Sequence, residues 1–168
     1  MAAVESERKD GPGRFIKAAA RLGLVVAPRE FSDSTRTAED AAKAAGVDVG
    51  QIVKSLVFRG KKSGKPYLLL VSGANRVDQK GVAARLGEPL DRPDGTFVRD
   101  LTGFAIGGIP PLGHDVPLET YMDRDLLAHQ TVWAAAGSPH AMFPIETTSL
   151  QAAAGAIVID LAERAAGH

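Results

Sequence analysis

Residues 52–58 read Ile-Val-Lys-Ser-Leu-Val-Phe, and residues 67–71 read Tyr-Leu-Leu-Leu-Val. Branched and aromatic side chains of this kind favour β-strands. The stretch between them, Gly60 to Pro66, is rich in lysine and has the glycine and proline of a turn. The two stretches are therefore predicted to form two strands joined by a basic hairpin.

Short helices and further strands are predicted around this hairpin. Phe15, Ala19 and Leu22 recur at helical spacing, and Thr37 followed by Asp40 resembles a capping box before an alanine-rich helix that stops at Gly46. The strands do not alternate regularly with helices, which favours a mixed α+β sheet. The predicted helices are 14–22, 38–45, 77–86, 97–101 and 148–154, and the further strands are 118–122, 132–135, 141–145 and 156–161.

The length of 168 residues suits one domain. Residues 1–13 are predicted to be a flexible leader, because the stretch is polar and ends in Gly11, Pro12 and Gly13, and residues 14–168 are predicted to form the domain. The chain has no cysteine, which excludes disulfides, thiolate metal sites and cysteine nucleophiles. We expect a cytoplasmic protein without a membrane segment, since no stretch is apolar enough to cross a bilayer.

The formal net charge is zero, with 20 basic and 20 acidic residues. Such a chain has no global positive field to hold a polyanion. A nucleic-acid ligand would have to be bound locally or with the help of a partner. The basic hairpin residues are the best local candidates for phosphate contacts, although a solvated turn explains them more simply: Arg59, Lys61, Lys62 and Lys65.

Lys54 is the first candidate functional residue. Strand alternation places it on the face that carries Ile52, Leu56 and Phe58, where an ammonium group loses hydration. Such a lysine pairs with an anion, gives up its proton, or reaches solvent at a sheet edge. A functional role and an edge lysine both stay open on this evidence.

The stretch Gly107 to His114 combines flexible glycines with two consecutive prolines. A loop of this composition is stiff and offers backbone N–H and C=O groups to a ligand, although it could also be a simple turn. It lacks the Gly-Lys-Ser/Thr ending of a phosphate-binding loop, which disfavours a nucleotide triphosphatase.

A second polar segment, Gly137-Ser138-Pro139-His140, connects two apolar runs. A hairpin turn accounts for it, while His140 and His114 are candidates for a shared site with Asp115. No pair of histidines has the one-turn spacing of zinc hydrolases, so no metal is predicted. Ser138 and Ser72 lack the Gly-x-Ser-x-Gly context of a serine hydrolase.

Taken in order, these segments resemble the YbaK family, which includes the prolyl-tRNA synthetase editing domain and its free-standing relatives. The resemblance covers residues 14–163 and rests on five segments, which are Ala38–Ala42, Gln51–Phe58, Leu68–Ser72, Gly107–His114 and Ala136–His140. It implies a mixed sheet, partly closed like a barrel and flanked by helices, and a deacylase that needs neither metal nor cofactor.

The resemblance also implies roles for individual residues. Lys54 and Gly108 are expected to be catalytic, with Lys54 near the terminal adenosine or the ester. The expected substrate-binding residues are Gly107, Ile109, Pro110, Pro111, His114, Gly137, Ser138 and His140.

The implied activity is the hydrolysis of the ester of a mischarged tRNA, either tRNA-Pro or another tRNA that carries a small wrong amino acid. Alanine, serine, threonine and cysteine are all candidates, because a pocket excludes a bulky side chain more easily than a smaller one. The expected partners are aminoacyl-tRNA and a synthetase such as prolyl-tRNA synthetase. Two alternatives are a non-catalytic tRNA- or synthetase-binding module of the same fold and a hydrolase of small esters or amides.

Overall fold

The computed structural model describes residues 10–33, 35 and 37–164. Eight strands in this part form one mixed sheet: β1 (Arg29–Glu30), β2 (Ile52–Gly60), β3 (Pro66–Ser72), β4 (Leu90–Asp91), β5 (Glu119–Asp123), β6 (Thr131–Ser138), β7 (Ala141–Glu146) and β8 (Ile157–Ile159). Their order is β1-β7-β6-β2-β3-β5-β8, and β4 pairs with β2 off this path. The predicted mixed α+β class is confirmed.

Five α-helices flank the sheet within the described residues: α1 (Gly11–Arg21), α2 (Ala38–Ala45), α3 (Gln79–Leu86), α4 (Gly95–Thr102) and α5 (Thr147–Ala154). Short 3₁₀ turns cover Val49–Gln51 and Arg124–Ala128. In the part of the chain that the structure describes, no helix has the length and apolar character needed to cross a membrane.

The ends of α2 follow the predicted capping chemistry. The Thr37 side chain accepts a hydrogen bond from the Asp40 N–H at 3.1 Å, which satisfies one of the donors left free at a helix start. Gly46 ends the helix with φ of 71°, a left-handed conformation that glycine adopts without steric cost. These contacts set the ends of α2, and its buried alanines pack against Ile52 at the start of β2.

The antiparallel β2–β3 hairpin is buried on both faces, as its two apolar runs suggest. On one face, Val53 and Val57 join a large core in which Phe15 of α1 packs against Phe143 of β7 with ring centroids 4.7 Å apart. On the other face, Phe58 packs in a second cluster that includes residues of α3. The hairpin therefore forms the centre of the fold.

Several boundaries differ from the predictions. Helix α1 begins at Gly11 instead of residue 14, because Asp10 caps it by accepting from the Gly13 N–H at 3.1 Å. Residues 11–13 of the predicted leader are thus helical, and residues 1–9 lie outside the described residues. Strand β6 continues to Ser138, three residues past its predicted end. The two-residue strands β1 and β4 were not predicted, since so short a pairing leaves no alternation to detect.

Candidate functional site

One edge of β2 is open in the middle. Strand β3 covers the other edge continuously from Val53 to Arg59. On the open side, β6 pairs only with Ile52 and Val53, and β4 pairs only with Arg59 and Gly60. Residues 54–58 are therefore without a partner strand on that side in the described part of the chain, and we call this stretch the open edge of β2.

Strand β6 leaves β2 where its own register is interrupted. The pairing of β6 with β7 shifts between Ala135 and Ser138, a β-bulge that bends a strand. Gly137, at φ of 101°, lies in the bulge, and its N–H donates to the Gly108 carbonyl at 3.0 Å. A Cβ on Gly11 of α1 would collide with the Gly137 carbonyl. Only glycines allow this close contact of three segments.

A cavity of about 290 Å³ lies against the open edge. Its walls come from residues 52–57 of β2, the start of α2, Arg92, and the loop residues Ile106, Gly107 and Ile109. The cavity is small and largely apolar, with a few polar groups, which is the character of a small-ligand site.

Lys54 lines this cavity and is half-buried, on the same face of β2 as Ile52 and Leu56, as predicted. Its ammonium donates to the Asn75 carbonyl at 2.5 Å. Burial lowers the pKa of Lys54 below its usual value, Glu39 and Asp123 oppose this effect, and the positive charge of Arg76 adds to it. The lysine thus carries a poorly hydrated charge beside a cavity.

A buried carboxylate holds the Lys54 partner in place. Asp123, at the end of β5, is fully buried and accepts from the Asn75 side-chain amide at 2.9 Å and from the Ser72 N–H at 3.0 Å. The same amide also donates to Asp125 at 2.8 Å. The position of Lys54 therefore depends on Asn75 and Asp123, neither of which the sequence marked as part of a site.

Four further residues with polar side chains line the cavity without having been predicted as site residues: Thr35, Thr37, Ser55 and Arg92. The Ser55 hydroxyl is buried and has no hydrogen-bond partner among residues 10–33, 35 and 37–164. Arg92 places its guanidinium 4.9 Å from the Phe58 ring centroid, so a second cation lies at this site. A serine inside an apolar strand was the one available sequence signal, and it is a weak one.

The residues of the predicted loop Gly107–His114 lie in different parts of the structure. Gly107 and Ile109 line the cavity, whereas Gly108 lies behind it against Ser138. The Gly108 N–H donates to the Ala105 carbonyl, and its own carbonyl accepts from Gly137, both at 3.0 Å. The Gly107 N–H has no partner among the described residues. Of these two glycines, Gly107 is therefore the one whose N–H is left for a ligand.

Pro110, Pro111 and His114 do not line the Lys54 cavity, and the two prolines are buried. The His114 Nε2 and the Pro110 carbonyl lie 2.7 Å apart, and burial lowers the pKa of His114. Pro111 and His114 line a larger cavity of about 750 Å³ beside α1. The larger cavity is thus not the one that holds Lys54.

Gly137, Ser138 and His140 line neither cavity. The Ser138 hydroxyl accepts from the His140 N–H at 3.2 Å, which stabilises the turn into β7. The His140 side chain is exposed, and the two predicted histidines are not brought together at the Lys54 cavity. Among the described residues there is no group of three His, Asp or Glu side chains that could hold a metal ion.

Known proteins resemble this chain both in sequence and in structure. The sequence profile of the aminoacyl-tRNA editing domain matches residues 32–153, which contain the open edge and the cavity. The structure superimposes with a TM-score of 0.87 on a crystal structure described as a candidate trans-editing enzyme for prolyl-tRNA synthetase. The sequence identity is 48%, and the match covers 92% of this chain and 98% of that chain.

Two curated bacterial proteins are similar in sequence. The uncharacterized protein YwhH of Bacillus subtilis (strain 168) is 36% identical over 115 residues, which are 65% of this chain and 69% of YwhH. EbsC of Enterococcus faecalis (strain ATCC 700802 / V583), named as a candidate Cys-tRNA(Pro)/Cys-tRNA(Cys) deacylase, is 28% identical over 110 residues, 64% of this chain and 65% of EbsC. The family profile matches well over half of the length of this chain. The chain therefore belongs to the YbaK-like family of aminoacyl-tRNA editing domains.

Proposed function

We propose that this protein is a free-standing aminoacyl-tRNA deacylase that hydrolyses the ester of a mischarged tRNA at the Lys54 cavity. The observation that carries the proposal is the half-buried Lys54 ammonium, held by the Asn75 carbonyl beside a cavity that suits a small ligand. Membership of the editing-domain family supports this reaction class.

The reaction requires a positioned water and stabilisation of the negative charge that develops on the ester oxygen. Water adds to the ester carbonyl carbon, the bond from that carbon to the ribose oxygen breaks, and the ribose oxygen takes up a proton. Lys54 supplies positive charge, and the Gly107 N–H is a candidate backbone donor that assists it. The neighbouring hydroxyl of the terminal ribose is a candidate for proton transfer.

This mechanism changes the role of Gly108. Its N–H and carbonyl are both engaged within the protein, and a Cβ there would come within 2.7 Å of the Ser138 Cα. Gly108 therefore serves to let the loop approach β6, which sets the position of Gly107. The role of Gly108 is positioning rather than direct contact with the ester.

The cavity volume of about 290 Å³ favours a small amino acid as cargo. Alanine, serine, threonine and cysteine remain the candidates. The name of EbsC mentions Cys-tRNA(Pro) and Cys-tRNA(Cys), and that of the similar crystal structure mentions prolyl-tRNA synthetase, which supports tRNA-Pro as one tRNA to test.

Contacts with the tRNA backbone are expected to be local, because the chain carries no net charge. In the basic hairpin, Arg59 pairs with Asp91 at 3.3 Å and Lys65 pairs with Glu119 at 2.8 Å. Lys61 and Lys62 are exposed and are the hairpin lysines best placed for phosphate. This limited basic surface supports a partner such as a synthetase in delivering the tRNA.

The direct test is the release of labelled amino acid from a panel of correctly and incorrectly charged tRNAs. We expect selective release from one mischarged tRNA, and Lys54→Ala is expected to lower its rate on the order of 10²-fold, as loss of one charge-stabilising donor does in other enzymes. The thermal transition should stay nearly unchanged, because the substitution removes a poorly hydrated charge.

Lys80→Ala is the matched control, since Lys80 is exposed on α3 and does not line the cavity. Its activity should equal that of the wild type. Absence of release from every charged tRNA, even with a synthetase added, would favour a non-catalytic binding module. Salt-insensitive hydrolysis of small esters would favour the small-molecule hydrolase.

A further inference from the structure

The charged side chains that line the Lys54 cavity are both positive. Within the part of the chain that the structure describes, the lining includes Lys54 and Arg92 and no carboxylate. A cleft lined by charges of one sign concentrates ligands of the opposite sign, and its low-dielectric walls strengthen the attraction. The cavity therefore has the charge of an anion-binding site.

The acidic neighbours of Arg92 in the sequence are engaged elsewhere. Asp91 pairs with Arg59 at 3.3 Å, and Asp94 caps α4 by accepting from the Phe97 N–H at 2.8 Å. The ion pairs among the described residues do not include Arg92. Its guanidinium therefore has donors available for the anion of a ligand.

Contact with an aromatic ring holds this guanidinium at the cavity. Arg92 lies over the Phe58 ring, 4.9 Å from its centroid. Burial of part of the side chain lowers the pKa of Arg92, but a guanidinium stays charged at neutral pH. The residue as a whole is exposed although it lines the cavity, so it lies at the cavity mouth.

The two cations enter the cavity from opposite ends of β2. Lys54 donates to the carbonyl of Asn75, which follows the end of β3 that pairs with the start of β2. Arg92 directly follows β4, which pairs with the last two residues of β2. Lys54 and Phe58 lie on the same face of this strand, with Cα atoms about 13 Å apart. A ligand that contacts both cations therefore extends along the strand, as a nucleotide with an attached amino acid does.

We propose that Arg92 binds the phosphodiester group on the 5' side of the terminal adenosine of the tRNA, while the ester lies at Lys54. The same ribose carries the phosphodiester and the ester, so a substrate with its ester at one cation has an anion close to the other. The planar guanidinium matches a phosphate group with two parallel hydrogen bonds. The inference rests on the proposed function, because it assigns a second part of the same substrate.

This arrangement gives the two cations different tasks. Lys54 stabilises charge that develops during hydrolysis, whereas Arg92 contacts a group that the reaction does not change. A contact of equal strength in the ground state and the transition state lowers KM without raising kcat. Every tRNA has this phosphodiester, so Arg92 contributes affinity and leaves the choice of cargo to the rest of the cavity.

The test uses two non-hydrolysable probes, 3'-alanylamino-3'-deoxyadenosine and the same compound with a 5'-methyl phosphate, which has the single negative charge of the tRNA linkage. Binding of each to the full chain is measured by calorimetry for the wild type, Arg92→Met and Arg92→Lys. We expect the wild type to bind the phosphorylated probe about tenfold more tightly. Arg92→Met keeps an apolar side chain over Phe58 without the charge, so it should bind both probes alike. Arg92→Lys should keep part of the preference.

Arg99→Met is the matched control, because Arg99 is exposed on α4 and does not line the cavity. It should keep the full preference for the phosphorylated probe. With a mischarged tRNA as substrate, Arg92→Met should raise KM about tenfold and leave kcat nearly unchanged, whereas Lys54→Ala lowers kcat. If Arg92 served only to cover Phe58, its replacement would lower Tm and weaken binding of both probes equally.

Equal binding of the two probes by the wild type, or binding of neither, would overturn the inference, as would an Arg92→Met protein that keeps the preference. Inorganic phosphate should compete only weakly with the phosphorylated probe, because it lacks the nucleoside. Competition as strong as that of the probe itself would indicate a site for free phosphate and would also overturn the inference. Lys54-dependent release from tRNA with the same KM for the wild type and Arg92→Met would leave the proposed function in place and remove only the role of Arg92.

Discussion

Two carboxylates at opposite ends of β3 each collect several hydrogen-bond donors. At the end of the strand, Asp123 accepts from the Ser72 N–H, the Asn75 amide and the Asp125 N–H, at 2.9 to 3.0 Å. At the hairpin end, Glu88 accepts from Lys62, Ser63 and Tyr67, at 2.7 to 3.1 Å. In both clusters one carboxylate accepts several hydrogen bonds, from N–H groups at Asp123 and from N–H and hydroxyl groups at Glu88.

The clusters differ in what they hold in place. Asp123 is fully buried, and its bonds lead through Asn75 to the Lys54 ammonium at the cavity. Glu88 is partly exposed, and its bonds hold the turn between β2 and β3 and Tyr67 at the start of β3. A carboxylate with several donors therefore positions a functional lysine in one case and a turn in the other. Both carboxylates should contribute to stability, but only the Asp123 cluster should affect activity.

The largest effect is expected at Asp123. In Asp123→Asn the new amide places N–H donors against the donors of Ser72 and Asn75, inside a site without water access. We expect a loss of about 3 kcal/mol in the free energy of unfolding, together with strongly reduced deacylation. Urea denaturation and the tRNA release assay measure the two losses. Asp100→Asn, an exposed residue of α4, should change neither.

Asn75→Ala should show the effect of positioning Lys54 on activity, apart from any effect on the stability of the fold. The variant keeps the Asn75 carbonyl but loses the side-chain bonds to Asp123 and Asp125 that fix it. We expect kcat to fall about tenfold with KM little changed, because the chain no longer holds Lys54 in one place.

The pH–rate profile of Asn75→Ala gives a test that a structural role alone would not pass. Burial lowers the pKa of Lys54, and a less confined side chain regains hydration. The rate should fall as pH rises through the pKa of the ammonium, and this fall should occur at higher pH in the variant. If the rate falls at the same pH in the variant and in the wild type, Asn75 does not influence the pKa of Lys54. Gln130→Ala, an exposed amide, is the control.

The sequence was sufficient for the parts of the site that depend on local rules. Alternation along residues 52–58 placed Lys54 on the correct face of β2, and the Thr37 cap and Gly46 stop gave α2 its bounds. Each of these rules relates residues a few positions apart. Tertiary contacts rarely change these local relations, so the folded protein shows them as the sequence predicts.

The open edge could not be predicted, because it depends on contacts between distant residues. It exists where β6 leaves β2, near a bulge in which Gly137 contacts Gly11 and Gly108. The sequence of residues 52–58 contains no signal that β2 stops pairing with β6 after Val53. For the same reason His140 was predicted near the site, and Asp123 and Asn75 were not. Whether a polar residue belongs to a site depends on which residues lie opposite it in the folded protein.

The smallest effect is expected at Glu88, and it completes the comparison. The hydrogen bonds from Ser63, Tyr67 and Lys62 lower the pKa of Glu88 from 4.5 to about 2. A carboxylate with a lowered pKa stabilises the folded state above its ordinary pKa, and that contribution is lost as pH falls towards about 2. Glu88→Gln should therefore have a lower Tm than the wild type at neutral pH, and the difference should shrink between pH 4.5 and pH 2. Deacylation at neutral pH should be unchanged, because this cluster reaches no residue of the Lys54 cavity. A loss of activity as large as that of Asn75→Ala would mean that the hairpin also positions the site, and would end the distinction between the two carboxylates.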